Sequence, residues 1–469
     1  MDHIAAHNQS SKVAMPPTKL GNTTPNTLHQ RMSEIVPNRL SDIRIIRTKY
    51  GKGNLGNVTV DMAYGGMRGI VGLIWEVSLL DPEKGITLRT HSLPELLPRL
   101  PRGRRGSEPM PEGMLWLLLT GEVPTKEEAL GLSAELAKRG VVEPWIEDVL
   151  DQCPKTLHPM TQLSYAVNAC QHSSKFAKAY ASGVPKDTYW QYYFEDCLDL
   201  IAKLPLIAAR IYRNVTRAEG APPVGRGLSV DVSLDWSGNF ARMMGFESDE
   251  FDDMLRLFLT IHCDHEGGNV SAHTCHVVSS ALADPYLSFA ACMNGLAGPL
   301  HGLANQECLL FIVKMREELG DNASNDQVEA YVRAIIKSGQ VIPGYGHAVL
   351  RKTDPRYTCQ KEWAEMHLPD DPLLKLVGQL FEVVPRVLAE GGKVKNPWPN
   401  VDAASGVLLN HYGLKETNYY TVLFGVSRAL GVLSGTLWAR ICGLPIERPK
   451  SLTSEEVVRL FGPEVSPKM

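Results

Sequence analysis

Apolar residues recur every three or four positions along most of the chain, which is the spacing that places them on one face of an α-helix. One such run follows Thr125 and Glu128, which have the spacing of a helix capping box, and Gly140 is placed to end that helix. Ser324 and Gln327 repeat the same pair ahead of a second run. The pattern therefore predicts a helix after each cap.

Three longer stretches carry the same helical pattern. Pro111 holds the first-turn position ahead of the apolar run 114–117, and an amphipathic run covers 195–212. The stretch 421–446 is apolar enough to suggest a membrane span, but two arginines, Arg428 among them, interrupt it. We expect this stretch to form a buried helix in a protein that has no membrane partner.

Signals for β-strands are few. Short alternating or β-branched runs occur at 57–60 and 86–88, and each predicts a short strand. Gly51–Gly56 matches the G-x-G-x-x-G spacing of dinucleotide sites, but a helical run precedes it and a strand-like run follows, so a simple turn is favoured. The pattern as a whole predicts an all-α fold with few short β-strands.

Composition and charge narrow the classes of function. The chain has 469 residues, 44% of them hydrophobic and 21% charged, which is typical of a globular protein with two or three domains. Its formal net charge of −4 offers no basic field for a nucleic-acid backbone, so no nucleic-acid partner is expected and an anionic substrate needs local arginines. The nine cysteines include no C-x-x-C pair, which favours a reducing compartment without a disulfide framework.

Histidines cluster between His262 and His276, where His265 and His273 complete two H-x-x-H pairs. Such pairs occur in metal sites. However, Glu266 does not stand in an H-E-x-x-H frame, and the two glycines after it break any helix that could present the ligands on one face. We expect no metal, and a metal-dependent hydrolase remains an alternative that elemental analysis for zinc would test.

Two other histidines lie among glycines. The small residues around His301 lead into a helical run, so the positive end of a helix should keep this imidazole neutral. The turn 343–347 delivers His347 in the same way.

Asp402 ends a proline-rich turn and, taken alone, is best interpreted as a solvated loop residue. Arg428 lies inside the apolar helix, where an unpaired guanidinium is costly, so it needs an anionic partner.

Four ordered motifs bring these residues together: 264–274, the segment around His301, the run 344–357 and the run 396–402. In these motifs the chain resembles the citrate synthases, in their eukaryotic mitochondrial form, over roughly residues 35–460. The resemblance implies a citrate-synthase-like all-α fold with a large helical domain and a smaller, mobile helical domain. It assigns 1–34 to an N-terminal extension, 35–302 and 414–469 to the large domain, and 303–413 to the small domain.

The resemblance also implies a role for each matching residue. His301 would hydrogen-bond the thioester carbonyl of acetyl-CoA, Asp402 would remove a methyl proton, and His347 would protonate the ketone of oxaloacetate. The implied ligands of oxaloacetate or citrate are His265, Arg356, Arg428 and Arg448, the last of them supplied by a second subunit. The implied CoA contacts are Arg68, Lys186, Val341, Gly344, Tyr345, Arg351, Lys395 and Asn400. Lys186 stands where many members of the family carry an arginine, which keeps the charge but loses the bidentate contact.

The implied function is an acyltransferase reaction. Acetyl-CoA condenses with oxaloacetate through an enolate or enol, and citryl-CoA is then hydrolysed to citrate and CoA. The CoA thioester is a co-substrate and no cofactor is bound permanently. A homodimer in the mitochondrial matrix is expected. Two alternatives remain beside the metal hydrolase: a 2-methylcitrate synthase that uses propionyl-CoA, since one methylene discriminates weakly, and a catalytically silent helical scaffold.

Overall fold

α-Helices make up most of the computed structural model, which describes residues 27–223, 225, 227–392 and 394–462. The first ten are α1 (Leu28–Tyr50), α2 (Val60–Tyr64), α3 (Leu93–Leu96), α4 (Pro111–Thr120), α5 (Lys126–Arg139), α6 (Pro144–Gln152), α7 (Pro159–Cys170), α8 (Lys175–Ala181), α9 (Tyr189–Thr216) and α10 (Trp236–Met244). The others are α11 (Asp249–Ile261), α12 (Val270–Ser280), α13 (Pro285–Leu296), α14 (Ala304–Leu319), α15 (Asn325–Lys337), α16 (Pro355–His367), α17 (Pro372–Glu390), α18 (Asp402–His411), α19 (Tyr420–Ile441) and α20 (Ser454–Phe461). The all-α prediction is confirmed.

The strands form one small antiparallel sheet in the order β1 (Ser78–Asp81), β2 (Gly85–Leu88) and β3 (His91–Ser92). The strand predicted at 86–88 is confirmed as part of β2. The strand predicted at 57–60 is wrong. The hydroxyl of Thr59 instead accepts the N–H of Met62 and starts α2 at Val60. In the described part of the chain no strand pairs with this segment, so its β-branched residues have no pleated surface on which to pack.

The predicted helix starts are confirmed. Thr125 and Glu128 form the reciprocal capping box of α5, and Ser324 and Gln327 form that of α15. Pro111 is the first residue of α4, a position where a backbone N–H would have no partner within the helix, so its absence costs no hydrogen bond. These local signals hold because each capping box satisfies backbone donors that the first helical turn leaves free, and the proline removes one such donor.

The centre of the molecule is the pair α9 and α19, which pack against each other. α19 also contacts α4, α7, α11, α12 and α13. The helical stretch Thr417–Ile441 is long and apolar enough to cross a membrane, but 89% of its apolar window is buried inside the protein. The predicted buried helix is therefore confirmed, with bounds 420–441.

The amino-terminal helix α1 begins at Leu28, inside the segment 1–34 that the sequence assigns to an extension. Leu28, Met32 and Val36 are buried in the core, whereas residues 1–26 lie outside the described residues. At the other side of the molecule α14, α16, α17 and α18 pack on one another, and α15 packs on α17. All five lie within 303–413.

Candidate active site

His347 lies in the loop between α15 and α16. Gly344 and Gly346 take left-handed φ values of 78° and 92°, and a Cβ on Gly344 would stand 2.9 Å from Ala403 Cα, so glycine is needed for this close approach. His347 Nδ1 accepts the backbone N–H groups of Val349 and Leu350, both at 3.0 Å. Since Nδ1 is an acceptor, the proton of the neutral ring is on Nε2.

His265 faces His347 from the loop between α11 and α12. Its Nε2 lies 3.3 Å from His347 Nε2 and 3.4 Å from Arg356 Nη2, and the two rings are nearly perpendicular at 87°. Burial, followed by the charge of Arg356, lowers the pKa of His265 well below its ordinary value and that of His347 to about 4. Both imidazoles are therefore neutral near neutral pH, and His347 Nε2–H points toward the space that they share.

His301 occupies the turn between α13 and α14, three residues before α14 begins. Its Nε2 accepts the N–H of Ser271 at 3.3 Å, in the first turn of α12, and lies 2.9 Å from Ser271 Oγ. The ring proton is thus on Nδ1. Burial and the charge of Arg428 lower the pKa of His301 to about 4. The sequence predicted a neutral ring, and burial and the charge of Arg428 both favour that state.

Asp402 is the first residue of α18, and its backbone N–H donates to Asn400 Oδ1 at 3.0 Å. Its carboxylate makes no hydrogen bond to the residues that the structure describes. Burial raises the pKa of Asp402 to about 6, against the opposing charges of Arg356 and Arg428. The interpretation as a solvated loop aspartate is wrong, because Asp402 is the first residue of α18, is half-buried and feels the charges of Arg356 and Arg428. A carboxylate with no donor and a raised pKa is a suitable proton acceptor.

Arg428 is 1% exposed, yet its guanidinium makes few polar contacts with the described residues. Nε donates to His262 O at 3.2 Å and the guanidinium lies 4.8 Å from the Phe424 ring centre. Within the described part of the chain, Nη1 is buried without a partner. Burial lowers the pKa of Arg428, and the nearby Asp264 carboxylate opposes this without a direct ion pair. In the described part of the chain no carboxylate forms an ion pair with Arg428, so its buried positive charge still lacks the anionic partner that the sequence leads us to expect.

Arg356 shows the opposite arrangement. It is 3% exposed and its guanidinium is paired with Asp354, Nη2 to Oδ2 at 2.7 Å and Nε to both oxygens at 3.1 and 3.2 Å. This pair holds Nη2 against His265. Sequence reasoning missed Asp354 as an orienting residue, although its position before Pro355 marked it as a helix cap.

Part of the predicted CoA set gathers around the His347 loop. Asn400 N–H donates to Gly344 O at 2.9 Å, Asn400 Nδ2 donates to Gly346 O at 3.1 Å, and Tyr345 forms a β-bridge with Pro399. The Arg351 guanidinium folds back onto its own loop and donates to three consecutive carbonyls, 348–350. These contacts join the turn 343–347 to the segment that carries Asp402.

The other candidates stand apart. Their shared property is exposure to solvent, and no hydrogen bond or ion pair among the described residues joins them to the histidines; they are Arg68, Lys186, Val341, Lys395 and Arg448. Arg448 lies in the segment between α19 and α20 and does not reach Arg428 or Arg356 of its own chain through any such bond.

The histidine cluster divides into separate environments. His262 stacks on Phe258 at a centroid distance of 4.1 Å, while His273 Nε2 and His276 Nδ1 bind the two oxygens of Glu447 at 2.7 and 2.9 Å. Of these histidines, His265 is the one whose ring contacts the Arg356 guanidinium. In the described ranges no group of three or more His, Cys, Asp or Glu side chains is arranged to hold a metal ion.

Ser271 is a functional residue that the sequence did not reveal. Asn269 caps α12 by accepting the N–H of Ala272 at 3.1 Å, which leaves the N–H of Ser271 free to bind His301. A helix whose capping residue satisfies one donor of the first turn still has others to offer. The pattern Asn269–Ala272 was the signal that could have identified this donor.

The assembled groups have a definite chemical capacity. Asp402 can accept a proton from a weak carbon acid, and the Nδ1–H of His301 and the Nε2–H of His347 can each stabilise a developing oxyanion. Arg428 supplies an unpaired positive charge for a carboxylate. The fields of Arg356 and Arg428 reach Asp402, and that of Arg428 reaches His301, so these groups share one electrostatic environment.

Comparison with known proteins gives consistent matches. Residues 66–450 match the family model for the C-terminal domain of citrate synthase. The chain is 56% identical over 431 residues, 92% of its length and 91% of theirs, to the mitochondrial citrate synthases of Kajikia audax and Xiphias gladius. Among solved structures, the citrate synthase of Pyrobaculum aerophilum is 26% identical with a TM-score of 0.70, covering 83% of this chain and 92% of that one.

A more distant solved structure shares the fold. The citrate synthase of Thermoplasma acidophilum, described as a ternary complex with carboxymethyl coenzyme A and oxaloacetate, is 21% identical with a TM-score of 0.67. The match covers 84% of this chain and 96% of that one.

Proposed function

Since the chain belongs to the citrate synthase family, we propose that it condenses acetyl-CoA with oxaloacetate and hydrolyses the resulting citryl-CoA to citrate and CoA. One observation carries the proposal: the unpaired guanidinium of Arg428 lies in the electrostatic environment of a proton acceptor, Asp402, and a neutral donor, His301. The curated relatives are citrate synthases, which favours acetyl-CoA over the propionyl-CoA of a 2-methylcitrate synthase.

The first step is removal of a proton from the methyl group of acetyl-CoA. Asp402 accepts this proton while His301 Nδ1–H donates to the thioester oxygen, on which negative charge develops. Because His301 is neutral, it stabilises the enolate or enol without offering the more acidic proton of an imidazolium. The Ser271 N–H on Nε2 fixes the tautomer that presents Nδ1–H to the substrate.

The second step forms the new carbon–carbon bond. Oxaloacetate is held by His265, Arg356 and Arg428, with Arg448 contributed by a second subunit. The enolate carbon attacks the ketone, the C=O π pair moves to the ketone oxygen, and His347 Nε2–H protonates that oxygen. The proton that Asp402 accepted then returns to His347 Nε2 by way of water, so that both groups regain their starting states. Hydrolysis of citryl-CoA by water then releases citrate and CoA thiol. CoA is a co-substrate that leaves with each turnover.

The CoA moiety of the thioester lies along the turn that carries His347. Gly344 and Tyr345 bring backbone close to it, Asn400 ties this turn to Asp402, and Val341 is exposed beside it. The exposed cations Arg68, Lys186 and Lys395, together with the half-buried Arg351, supply charge for the phosphates of CoA. Lys186 provides a point charge where many members of the family have a planar guanidinium.

The proposed domains place the reacting groups on two bodies. His265, His301 and Arg428 belong to the large domain, residues 35–302 and 414–469, whereas His347, Arg356 and Asp402 belong to the small domain, residues 303–413. The site is complete only where the two bodies meet, as in the His265–His347 contact. Closure of the small domain over the substrates would exclude water during condensation.

The acid side of the pH profile should be set by Asp402. The reaction needs Asp402 ionised, and its pKa is about 6, whereas His301 and His347 stay neutral down to their pKa values of about 4. We expect kcat/KM for acetyl-CoA, measured at saturating oxaloacetate, to fall about tenfold per pH unit below about pH 6. An acid limb whose midpoint lies near pH 4 would assign it to the histidines instead.

A homodimer follows from the position of Arg448. Its side chain is exposed, and the segment around it carries exposed apolar residues, Ile446 at 63%, Leu452 at 60% and Phe461 at 68%. Apolar side chains exposed together are typical of an interface. A second copy of the chain that covers this segment would receive Arg448 in its oxaloacetate site.

Mixed dimers test this arrangement. Arg448→Ala and Asp402→Asn should each be inactive as homodimers, because one lacks the cation given to the neighbour and the other lacks its own base. In a heterodimer, one site combines the intact Asp402 of the first variant with the intact Arg448 of the second. After random reassociation we expect about one quarter of wild-type activity. If the mixture stays inactive while heterodimers are present, Arg448 does not cross to the other subunit.

The compartment is mitochondrial, as it is for the relatives that share 56% of the sequence, and we propose the matrix.

The function itself is tested by release of CoA thiol from acetyl-CoA and from propionyl-CoA in the presence of oxaloacetate. We expect the higher kcat/KM with acetyl-CoA. A higher value with propionyl-CoA would make the enzyme a 2-methylcitrate synthase, and no thiol release from either would favour a silent scaffold.

A further inference from the structure

The small sheet lies beside the active site and touches both of its facing histidine loops. We infer that the β1–β2 hairpin, residues 78–88, positions His265 and His347 against each other, with Ser78 as a positioning residue. The inference rests on the proposed function of the two histidines and adds the support that sets their separation. It is carried by two independent groups of contacts, one to each loop.

The first group holds the His265 loop from both sides of that histidine. Ser78 is 5% exposed, its hydroxyl donates to Asp264 Oδ2, and its oxygen accepts Glu266 N–H at 3.1 Å. Leu80 N–H donates to Glu266 Oε2 at 2.9 Å. Ser78 therefore binds the residue before His265 and the residue after it. The Ser78 hydroxyl therefore fixes the backbone on both sides of His265, and with it the direction of the His265 side chain.

Glu266 has a backbone conformation that requires such support. Its φ is +67°, in the left-handed region that non-glycine residues rarely adopt. A conformation of this kind persists only where surrounding contacts hold it, and such positions are common at functional sites. Its side chain reaches Leu80 and its backbone reaches Ser78, so β1 supplies both restraints.

The second group holds the His347 loop to the tip of the same hairpin. Arg351 N–H donates to Pro82 O at 2.8 Å, and Lys352 Nζ lies 3.5 Å from Glu83 Oε2. Gly85 packs so closely on Pro355 that a Cβ at Gly85 would stand 2.5 Å from its ring. These contacts begin four residues after His347. The hairpin thus spans the two proposed domains and sets the distance between their histidines.

The closing experiment compares Ser78→Ala with Thr87→Ala. Thr87 is a matched control on the neighbouring strand, because its hydroxyl also donates one hydrogen bond, to Leu79 O at 3.0 Å, but touches neither loop. We expect S78A to raise the KM for oxaloacetate about tenfold while the KM for acetyl-CoA stays near wild type. Ser78→Thr, which keeps a hydroxyl, should restore most of the affinity. Equal oxaloacetate KM values in S78A and T87A would overturn the inference.

A second pair of variants tests the other loop. Gly85 and Gly121 both have positive φ, +83° and +81°, but nothing lies within 4 Å of a Cβ at Gly121. Both alanine variants carry the backbone strain, and only Gly85→Ala presses on Pro355. We expect kcat of G85A to fall about tenfold relative to G121A, since small displacements of reacting groups are costly. Equal kcat values would contradict a role of the hairpin tip.

Crystal structures separate this inference from the proposed function. In S78A the His265 Nε2 to His347 Nε2 distance should exceed the 3.3 Å of the wild type. An unchanged distance would overturn the inference whatever the activity. Conversely, a wild-type enzyme that releases no CoA thiol would refute the proposed function, and the distance in S78A would still decide what the hairpin does.

Discussion

Replacing Asp402 with asparagine is expected to abolish CoA release and, at the same time, to stabilise the folded protein. The amide cannot accept the methyl proton, so we expect kcat to fall by at least about a thousandfold. The folded pKa of about 6 lies above the ordinary value of 3.8, so the folded state binds this proton more tightly than the unfolded chain. Wild-type stability therefore falls as pH rises between these two values and stays lower above them.

Asp402→Asn removes that destabilisation, which is on the order of 3 kcal/mol at neutral pH. Thermal unfolding of both proteins at neutral pH and at pH 4 measures it, and the difference in Tm should shrink at the lower pH. Asp196 is the matched control: its pKa is also raised to about 6. However, it accepts hydrogen bonds from Ser174 Oγ and from two backbone N–H groups. Asp196→Asn should keep activity and lose stability. A D402N protein with near-normal turnover would remove Asp402 from the mechanism.

Arg428→Leu is expected to lose oxaloacetate and keep the fold. The guanidinium is buried, has an unpartnered Nη1 in the described part of the chain and makes one hydrogen bond. No carboxylate among the described residues forms an ion pair with Arg428, so the substitution breaks no ion pair. The free energy of unfolding should therefore change little or increase. The missing cation should lower kcat/KM for oxaloacetate by about a thousandfold, the cost of a lost charge-assisted contact to a buried carboxylate. Steady-state kinetics and calorimetric titration with oxaloacetate measure the loss.

Arg210→Leu is the control for that variant, because Arg210 is also 1% exposed. It binds both oxygens of Asp151, at 3.1 and 2.6 Å, and Glu147 at 2.5 Å. Its replacement removes the buried cation that both carboxylates bind and should destabilise the fold by about 3–5 kcal/mol. Two arginines of equal burial should thus respond in opposite ways. Substantial unfolding of R428L, comparable with that of R210L, would show that Arg428 supports structure rather than substrate.

Some of this site was predictable because the signals are local. Thr125 with Glu128 and Ser324 with Gln327 define helix starts through bonds within one turn, and no distant residue is needed to form them. The long motifs around His265, His301, His347 and Asp402 indicated the family, and the family provided the fold. Arg428 stood out because an ionised group inside an apolar helix conflicts with the free energy of burial.

Other features depend on contacts that no local pattern contains. The run 57–60 contains strand-forming residues, but among the described residues no strand pairs with it, and Thr59 starts a helix instead. The tautomer of His301 depends on Ser271, thirty positions earlier in the chain, and its neutrality depends on burial and on the charge of Arg428. The position of His265 depends on Ser78, which is far from it in sequence. These pairings are set by tertiary packing.

The late position of α19 in the chain has a consequence for biogenesis. This helix lies at the centre of the core and contacts helices from α4 to α13, yet it follows all of them along the chain and leaves the ribosome after them. Until it is made, the apolar faces of the earlier helices have no central surface on which to close. The nascent chain should therefore remain open until α19 emerges. An open chain is also the form that can be threaded through a narrow translocation channel, so the same delay favours import before folding.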